Sequence, residues 1–227
     1  MLTSATIKHF ESIAPTWKRK GWVNSSLLNG AIDKFVRQTE QKIGLHRKKY
    51  KTGLYFGIGT GALFRYFQNY NLAGIDGSAN MLQQCPEGIV QILSQIEELP
   101  FLMNNQFHLS FCRNLLKHCE DPLEAVRSMY EKTRQGCIAI AVESVVLKSE
   151  DKVIPTTLVR MTDNSHPSFL TVDEIVNLFK KAGFLKVDYN VFQHRASWLK
   201  RWVEAEGASL EIQKNIVEFT SVWLITQ

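Results

Sequence analysis

Three glycines at alternate positions, Gly57, Gly59 and Gly61, form the segment with the clearest chemical meaning. They follow an apolar run and precede a predicted helix, a context in which backbone N–H groups can approach a ligand because no side chains intervene. Asp76 stands nineteen residues after Gly57, at the end of a second apolar run. A carboxylate there can accept hydrogen bonds from both hydroxyls of a ribose. Together these residues predict a site for an adenosine-containing cofactor.

The elements that would position this site alternate along the chain, which is the pattern of strands and crossover helices in a parallel sheet. The predicted strands are 53–56, 72–75, 89–93, 106–112, 137–143, 185–192 and 217–226. The predicted helices among them are 62–69, 78–84, 122–134 and 171–182. Thr171 and Glu174 have the spacing of a capping box, and Gly183 is a helix stop. We therefore expect an α/β fold: a doubly wound sheet of seven strands, mostly parallel with an antiparallel edge strand, and helices on both faces.

Segments outside the sheet are expected to cover it within a single domain, 1–227. Residues 1–45 predict a helical N-terminal cap, because apolar residues recur at spacings of three and four from Leu28 to Ile43. The stretch 10–22, which contains Pro15, is aromatic, basic and broken, as in a lid. Residues 50–143 form the predicted cofactor-binding core. Residues 144–170 and 193–215 are predicted inserts that cover the substrate.

The bulk composition narrows the class of protein. Apolar residues make up 44% of the chain and charged residues 22%, as in an ordinary globular protein. No run of 18 apolar residues occurs, so we expect a cytoplasmic protein without a membrane partner. The four cysteines lack metal-ligand spacing, so no metal is expected. The net charge of +5 favours an anionic partner, but the densest basic run, 46–51, is too short to predict a nucleic-acid site.

Four ordered segments carry a resemblance to a known family: 57–61, 74–82, 97–101 and 116–122. Together with 135–136 and 181–184, they resemble the class I S-adenosylmethionine-dependent methyltransferases of the ubiquinone/menaquinone-biosynthesis type, over about residues 50–190. The resemblance implies a Rossmann-like fold, S-adenosyl-L-methionine as methyl donor and S-adenosyl-L-homocysteine as product. Residues 10–17 look like that family's N-terminal segment, in which Trp17 would stand beside the cofactor.

The resemblance also implies roles for individual residues. The three glycines would lie along the methionine part of the cofactor and Asp76 would hold the ribose. The full cofactor-binding set is Tyr55, Gly57, Ile58, Gly59, Thr60, Gly61, Asp76, Gly77, Met81, Gln95, Ile96, Glu97, Arg113 and Asn114. Two positions depart from the family: Tyr55 replaces an acidic residue, and Gln95 replaces an Asp, although its amide oxygen still accepts a hydrogen bond. Phe107-His108 also replaces the family's Phe-Asp pair.

Methyl transfer is an in-line displacement at an activated carbon, so the protein mainly aligns and desolvates the reactants. A neutral acceptor must still lose a proton, and His118 and His166 are candidate bases. His118 is equally a candidate for capping the next helix. The predicted substrate pocket comprises Trp17, Trp22, His166, His194 and Trp198.

Small-molecule methylation is the leading interpretation, because the covers are short, and the oligomeric state stays open. A nucleic-acid methyltransferase is the first alternative, but the signature of base methylation is missing at 112–115. A nicotinamide-dependent oxidoreductase would share the glycine pattern alone. A non-catalytic or repurposed relative is the third alternative, and Tyr55 favours it.

Overall fold

The structure is a computed structural model that describes residues 4–19, 23, 26–96, 99–146, 149–152, 169–193 and 220–226. Its helices are α1 (Ser4–Trp17), α2 (Ser26–Lys42), α3 (Ala79–Leu82), α4 (Pro122–Lys132) and α5 (Val172–Ala182). Its strands are β1 (Thr52–Phe56), β2 (Asn71–Asp76), β3 (Val90–Leu93), β4 (Phe107–Arg113), β5 (Thr133–Val146), β6 (Leu170–Thr171), β7 (Val187–Gln193) and β8 (Thr220–Thr226). The strands overlap the apolar runs of the sequence, with ends that differ by a few residues.

Within these residues the strands form one sheet of eight, in the order β3-β2-β1-β4-β5-β8-β7, with β6 paired to the end of β5. Strands β1 to β6 are parallel. The expected α/β architecture is thus confirmed. The expected edge position of the antiparallel strand is corrected: β8 runs antiparallel to both β5 and β7 and lies between them, while β7 is at the edge. The expected count of seven strands omits the two-residue β6.

Both faces of the sheet are covered, which explains why residues 137–143 of β5 are buried without alternation. One core contains residues of the sheet, α4 and α5, including Met129 and Phe179. The other contains residues of the sheet and α2, including Ile32 and Phe35. The helices therefore hold the carboxyl ends of the central strands in fixed positions, where the glycine loop lies.

The predicted helix at 62–69 is wrong, because only a single 3-10 turn, Phe64–Tyr66, forms there. Bulky aromatic residues are poor helix formers. Phe67 and Tyr70 are buried instead, and Phe67 packs against Tyr55 and Phe111 with ring centroids 6.4 and 5.0 Å away. The connection between β1 and β2 is consequently a packed aromatic loop.

The helix signals elsewhere in the sequence have the expected geometry. Thr171 and Glu174 form both hydrogen bonds of a capping box at the start of α5, and Gly183 ends that helix with φ of 114°. Asp121 caps α4 by accepting from the N–H groups of Leu123 and Glu124. These caps fix the helices that back the sheet.

Pro15 lies inside α1, so the chain is not broken at that residue. Residues 20–22 of the expected lid lie outside the described residues. A proline removes the N–H that would bond the carbonyl four residues earlier, here that of Glu11. The amide of Asn80 donates to this carbonyl instead, over 3.2 Å. Gln84 similarly donates to the carbonyl of Ala14 in the last turn, over 2.6 Å. Helix α1 is therefore fastened to α3 and to the turn that follows it, through carbonyl groups that its own backbone leaves unpaired.

Candidate active site

The loop after β1 needs glycine for two different reasons. All three glycines have positive φ: 63° at Gly57, 56° at Gly59 and 70° at Gly61. A Cβ at Gly57 would lie 2.7 Å from Leu115 Cδ1, so a side chain there would require Leu115 to move. A Cβ at Gly59 would meet only Trp17 Nε1, at 3.8 Å. Gly59 therefore leaves a cradle between the loop and Trp17.

Asp76 ties this loop to the end of β2. Its Oδ2 accepts from Gly59 N–H over 2.7 Å, and its Oδ1 accepts from Ser78 N–H over 2.9 Å. Burial raises the pKa of Asp76 to about 6, against the opposing effect of these backbone hydrogen bonds. Each carboxylate oxygen has a further lone pair for a ligand hydroxyl. The residue predicted to hold a ribose thus also fixes the shape of the glycine loop.

Short helix α3 follows Asp76 and Gly77. Ser78 caps it by accepting from Met81 N–H over 3.1 Å. The Met81 side chain is 1% exposed, so its predicted contact with an adenine would be made inside the protein. The backbone of Gly77 also hydrogen-bonds the Asp76 carboxylate.

Gln95 supplies a buried acceptor at the end of β3. Among the described residues, neither Gln95 Oε1 nor Thr60 Oγ1 has a hydrogen-bond partner, although both atoms are buried. The backbone N–H of Ser94, next to Gln95, donates to the carbonyl of Asp76 over 3.2 Å. Leaving such an atom unpaired costs about 1–3 kcal/mol. Gln95 Oε1 is therefore fitted to accept from a ligand N–H, whereas Ile96 is part of the core.

Tyr55 does not replace the family's acidic group in function, because its ring is directed into the core. It is 4% exposed and meets Phe111 edge to face, with ring centroids 4.8 Å apart. Burial raises the pKa of Tyr55, so the phenol is neutral. Arg113, a member of the predicted cofactor-binding set, is partly buried and donates to Asn29 Oδ1 over 3.0 Å. Burial lowers the pKa of Arg113, against the smaller opposing effect of the neighbouring Tyr55 hydroxyl.

The loop after β4 is held by a buried carboxylate that sequence reasoning missed. Glu143 on β5 is 2% exposed and accepts from the N–H groups of Leu115 and Leu116 over 2.8 and 3.0 Å. Asn114, at φ of 51°, is fixed to the same strand because its Oδ1 accepts from Ser144 N–H over 3.0 Å. The available signal was a glutamate that ends an otherwise apolar strand. Asn29 was missed as well, since its helix gives no such signal.

Helix α1 crosses the carboxyl ends of three strands. Trp17 lies over Gly59 after β1, and Asn80 after β2 bonds Glu11. Phe10 meets His118 after β4 edge to face, with ring centroids 5.1 Å apart. The structure thus brings Trp17 to the glycine loop and His118 under the same helix. Trp22, Glu97, His166, His194 and Trp198 lie outside the described residues.

The groups that the site presents suit the binding of a nucleoside. Among the described residues, His, Cys, Asp and Glu side chains form no group of three that could hold a metal ion. No described helix is long and apolar enough to cross a membrane. What the site offers is a backbone cradle, a carboxylate and a buried amide oxygen along one edge of a parallel sheet.

Comparison with known proteins agrees with this geometry. Residues 54–141, from β1 into β5, match the sequence family described as "Methyltransferase domain", which is S-adenosylmethionine-dependent. No curated protein sequence matches the chain.

Solved structures share the fold at low sequence identity. A Thermotoga maritima S-adenosylmethionine-dependent methyltransferase, described as a possible histamine N-methyltransferase, is 15% identical with a TM-score of 0.62, covering 98% of this chain and 99% of that one. The [4+2]-cyclase SpnF is 15% identical with a TM-score of 0.67, covering 86% and 80%. Haemonchus contortus phosphoethanolamine N-methyltransferase 2, bound to S-adenosyl-L-methionine, is 14% identical with a TM-score of 0.65, covering 96% and 59%. The family match thus covers the part of the chain from β1 into β5, and the solved structures share the fold.

Proposed function

We propose that this chain binds S-adenosyl-L-methionine and transfers its methyl group to a small-molecule acceptor, leaving S-adenosyl-L-homocysteine. One observation carries the proposal: Asp76 holds the glycine loop open at Gly59, while Gln95 Oε1 on the neighbouring strand end is buried and unpaired among the described residues. A carboxylate for ribose hydroxyls and an acceptor for an adenine amino group thus stand at adjacent strand ends. The residues present therefore fit this cofactor.

The roles of the residues follow from their places. The loop 57–61 would face the methionine part, Asp76 the ribose, and Gln95 with Met81 the adenine. The bound cofactor supplies a methyl carbon activated by a sulfonium. The protein would align the acceptor for in-line displacement and exclude water, a task for which Trp17 on α1 is suitably placed over the loop.

We propose a small molecule as the methyl acceptor. A small molecule is supported by the names of two structural neighbours, a possible histamine N-methyltransferase and a phosphoethanolamine N-methyltransferase. His118 and His166 stay candidate bases, and Trp22, His194 and Trp198 stay candidate pocket residues beside Trp17. The ubiquinone/menaquinone-biosynthesis type and a cytoplasmic location belong to the same proposal.

A repurposed relative is the second candidate function, and a specific observation favours it. Tyr55 is packed among core aromatics, so no carboxylate stands two residues before Gly57 to organise the cofactor's ammonium group. One structural neighbour is described as a [4+2]-cyclase. Such a protein would retain the nucleoside site without a methyl acceptor.

Calorimetric titration of the full chain with S-adenosylmethionine, S-adenosylhomocysteine and NAD tests the proposal. We expect micromolar binding of both sulfur nucleosides and none of NAD. Asp76→Asn should weaken binding by at least about tenfold, since hydrogen bonds to a charged group contribute about 1.5–3 kcal/mol. Asp188→Asn, at an exposed position of β7, is the matched control. Binding of NAD alone, or of nothing, contradicts the proposal, and binding without methylation of any supplied amine, hydroxyl or carbon acid favours the repurposed relative.

A further inference from the structure

A second group of polar side chains lies at the opposite end of the sheet, where β1 and β4 begin. It consists of Lys48, which precedes β1, His108 of β4 and Arg134 of β5, and we call it the amino-edge cluster. Lys48 Nζ and Arg134 Nη1 lie 3.4 and 3.3 Å from His108 Nε2. His108 is only 7% exposed, whereas both cations are exposed. The glycine loop and Asp76 stand at the other ends of these strands.

The hydrogen bonds of His108 determine which ring nitrogen carries the proton. Nδ1 accepts from the backbone N–H of Thr52 over 3.2 Å, and the Thr52 hydroxyl, which can donate to it as well, lies 3.0 Å from the same nitrogen. A backbone N–H is always a donor. Nδ1 therefore has no proton, and the neutral ring must carry it on Nε2. Burial, Lys48 and Arg134 lower the pKa of His108, so the ring stays neutral at physiological pH. Nε2–H is consequently a donor that faces two further donors.

An irregularity in the sheet brings Arg134 to this position. Phe107 pairs with Thr133, but Leu109, two residues later, pairs with Ile138, so β5 bulges opposite His108. Gly136 within the bulge has φ of 74°. Bulges of this kind redirect side chains and frequently lie beside functional sites.

Among the residues that the structure describes, no carboxylate neutralises the two cations of the cluster. Within the described parts of the chain, neither Lys48 nor Arg134 forms an ion pair with a carboxylate. Lys51, the other cation acting on His108, is already paired with Glu40 over 2.9 Å. Two like charges at a buried N–H are unfavourable unless an anion compensates them.

We propose that Lys48, His108 and Arg134 bind an oxyanion of the phosphate type, either free or as the phosphate monoester of a small molecule. One such group in front of the three nitrogens could accept from Nε2–H, the ammonium and the guanidinium at once. A doubly charged oxyanion matches the two cations, and hydrogen bonds to ionised groups are the strong ones. This site is independent of the cofactor cradle and of the proposed methyl transfer.

Calorimetry at constant ionic strength tests the site, with inorganic phosphate and glycerol 3-phosphate as probes. We expect saturable binding of one phosphate per chain, weakened about a hundredfold in Lys48→Gln/Arg134→Gln, since each charged contact is worth about tenfold. Tighter binding of inorganic phosphate would identify the free ion, and tighter binding of the ester a phosphorylated small molecule. Lys34→Gln/Lys180→Gln removes the same charge from exposed helix positions and should bind phosphate normally.

A nitrogen-detected NMR spectrum of His108 gives a separate readout that needs no variant. We expect the proton on Nε2 and a shift of that N–H resonance when phosphate is added. A proton on Nδ1, binding that never saturates, or equal affinity in the Lys48→Gln/Arg134→Gln variant would each overturn the proposal.

Discussion

Asp76 has two tasks that compete for one carboxylate. It fixes Gly59 and caps the turn into α3 through backbone N–H groups, and it is the proposed acceptor for ribose hydroxyls. Burial keeps its pKa at about 6, well above the ordinary value of an aspartate. The same group therefore couples loop shape, ligand affinity and pH.

Affinity for S-adenosylhomocysteine should fall as the pH drops below about 6. Protonation of Asp76 removes an acceptor from the ribose, so Kd should rise up to about tenfold per pH unit below the pKa of the free protein. Calorimetry between pH 5 and pH 8 measures this, with Asp76→Asn as the variant that should show no such step.

Stability of the free protein should change in the opposite sense. Because the folded-state pKa of Asp76 is raised, its contribution is fully present below the unfolded pKa and is lost as the pH rises through about 6. Denaturation at the same pH values, compared with Asp76→Asn, separates the two effects. If the affinity and the free energy of unfolding both decreased as the pH was lowered, this account would be contradicted.

Gly59→Ala should abolish cofactor binding with little effect on the fold. The new Cβ would meet only Trp17, at 3.8 Å, so the cost to the free energy of unfolding is that of a positive φ, about 1–2 kcal/mol. Gly44→Ala is the matched control, because Gly44 has φ of 74° and open space around it. Urea denaturation should find both variants similarly destabilised, and calorimetry should find only Gly59→Ala unable to bind. Normal binding by Gly59→Ala would place the cofactor elsewhere.

Helix α1 contributes contacts to the candidate site but few buried residues to the hydrophobic core. Asn80 of α3 and Gln84 of the following turn donate hydrogen bonds to it. Its rings contact Gly59 and His118. Few of its residues are buried, so it can separate from the sheet at low cost.

Replacing Asn80 and Gln84 by alanine should loosen α1. The double variant frees the carbonyls of Glu11 and Ala14, and hydrogen exchange along residues 4–17 should become faster while exchange in α5 is unchanged. Gln83→Ala is the control, since this exposed neighbour is not part of the fastening. S-adenosylhomocysteine should slow exchange of α1 in the unaltered protein. Exchange of α1 that is equal in both variants would show that these bonds do not hold it.

How far the sequence predicted these elements depended on the kind of signal. The strands and the start and end of α5 are encoded locally, by apolar runs and by Thr171, Glu174 and Gly183. The connection at 62–69 was mistaken because its aromatic residues serve a core made by distant strands. The break expected at Pro15 was wrong for a related reason. Asn80, which donates to the carbonyl that Pro15 leaves without a helical partner, is remote in sequence.

In the candidate site, too, residues of a local motif were predicted from the sequence, whereas residues that act through remote contacts were not. The glycines and Asp76 form a spaced motif and were predicted from the sequence, and the structure places them together. The burial of Tyr55 and the inward Arg113 depend on which face of a strand each occupies. Glu143 acts on backbone groups about 28 residues away in sequence, a pairing that spacing does not reveal.

The whole molecule contains a buried ion pair that joins α2 to the start of the sheet. Lys51 Nζ lies 2.9 Å from Glu40 Oε1, and the two side chains are 4% and 5% exposed. Tyr70 donates to the same carboxylate oxygen, and Lys51 lies over its ring, 4.6 Å from the centroid.

Lys51→Met should destabilise the protein by about 3–5 kcal/mol, because it leaves the Glu40 carboxylate buried without its cation. The double variant Lys51→Met/Glu40→Gln should recover part of this loss. Urea denaturation of the single and double variants completes a double-mutant cycle. Strictly additive effects would show that the pair is not coupled.

Strand β8 has a consequence for how the chain assembles. It lies between β5 and β7 although it follows β7 in sequence, and β7 pairs with no other described strand. During synthesis β7 therefore emerges before the strand that it must hydrogen-bond. The part of the sheet that carries the glycine loop, β1 to β5, can form first. Until β8 has been synthesised, β7 has no strand to pair with, and its exposed backbone N–H and C=O groups can form hydrogen bonds with another chain.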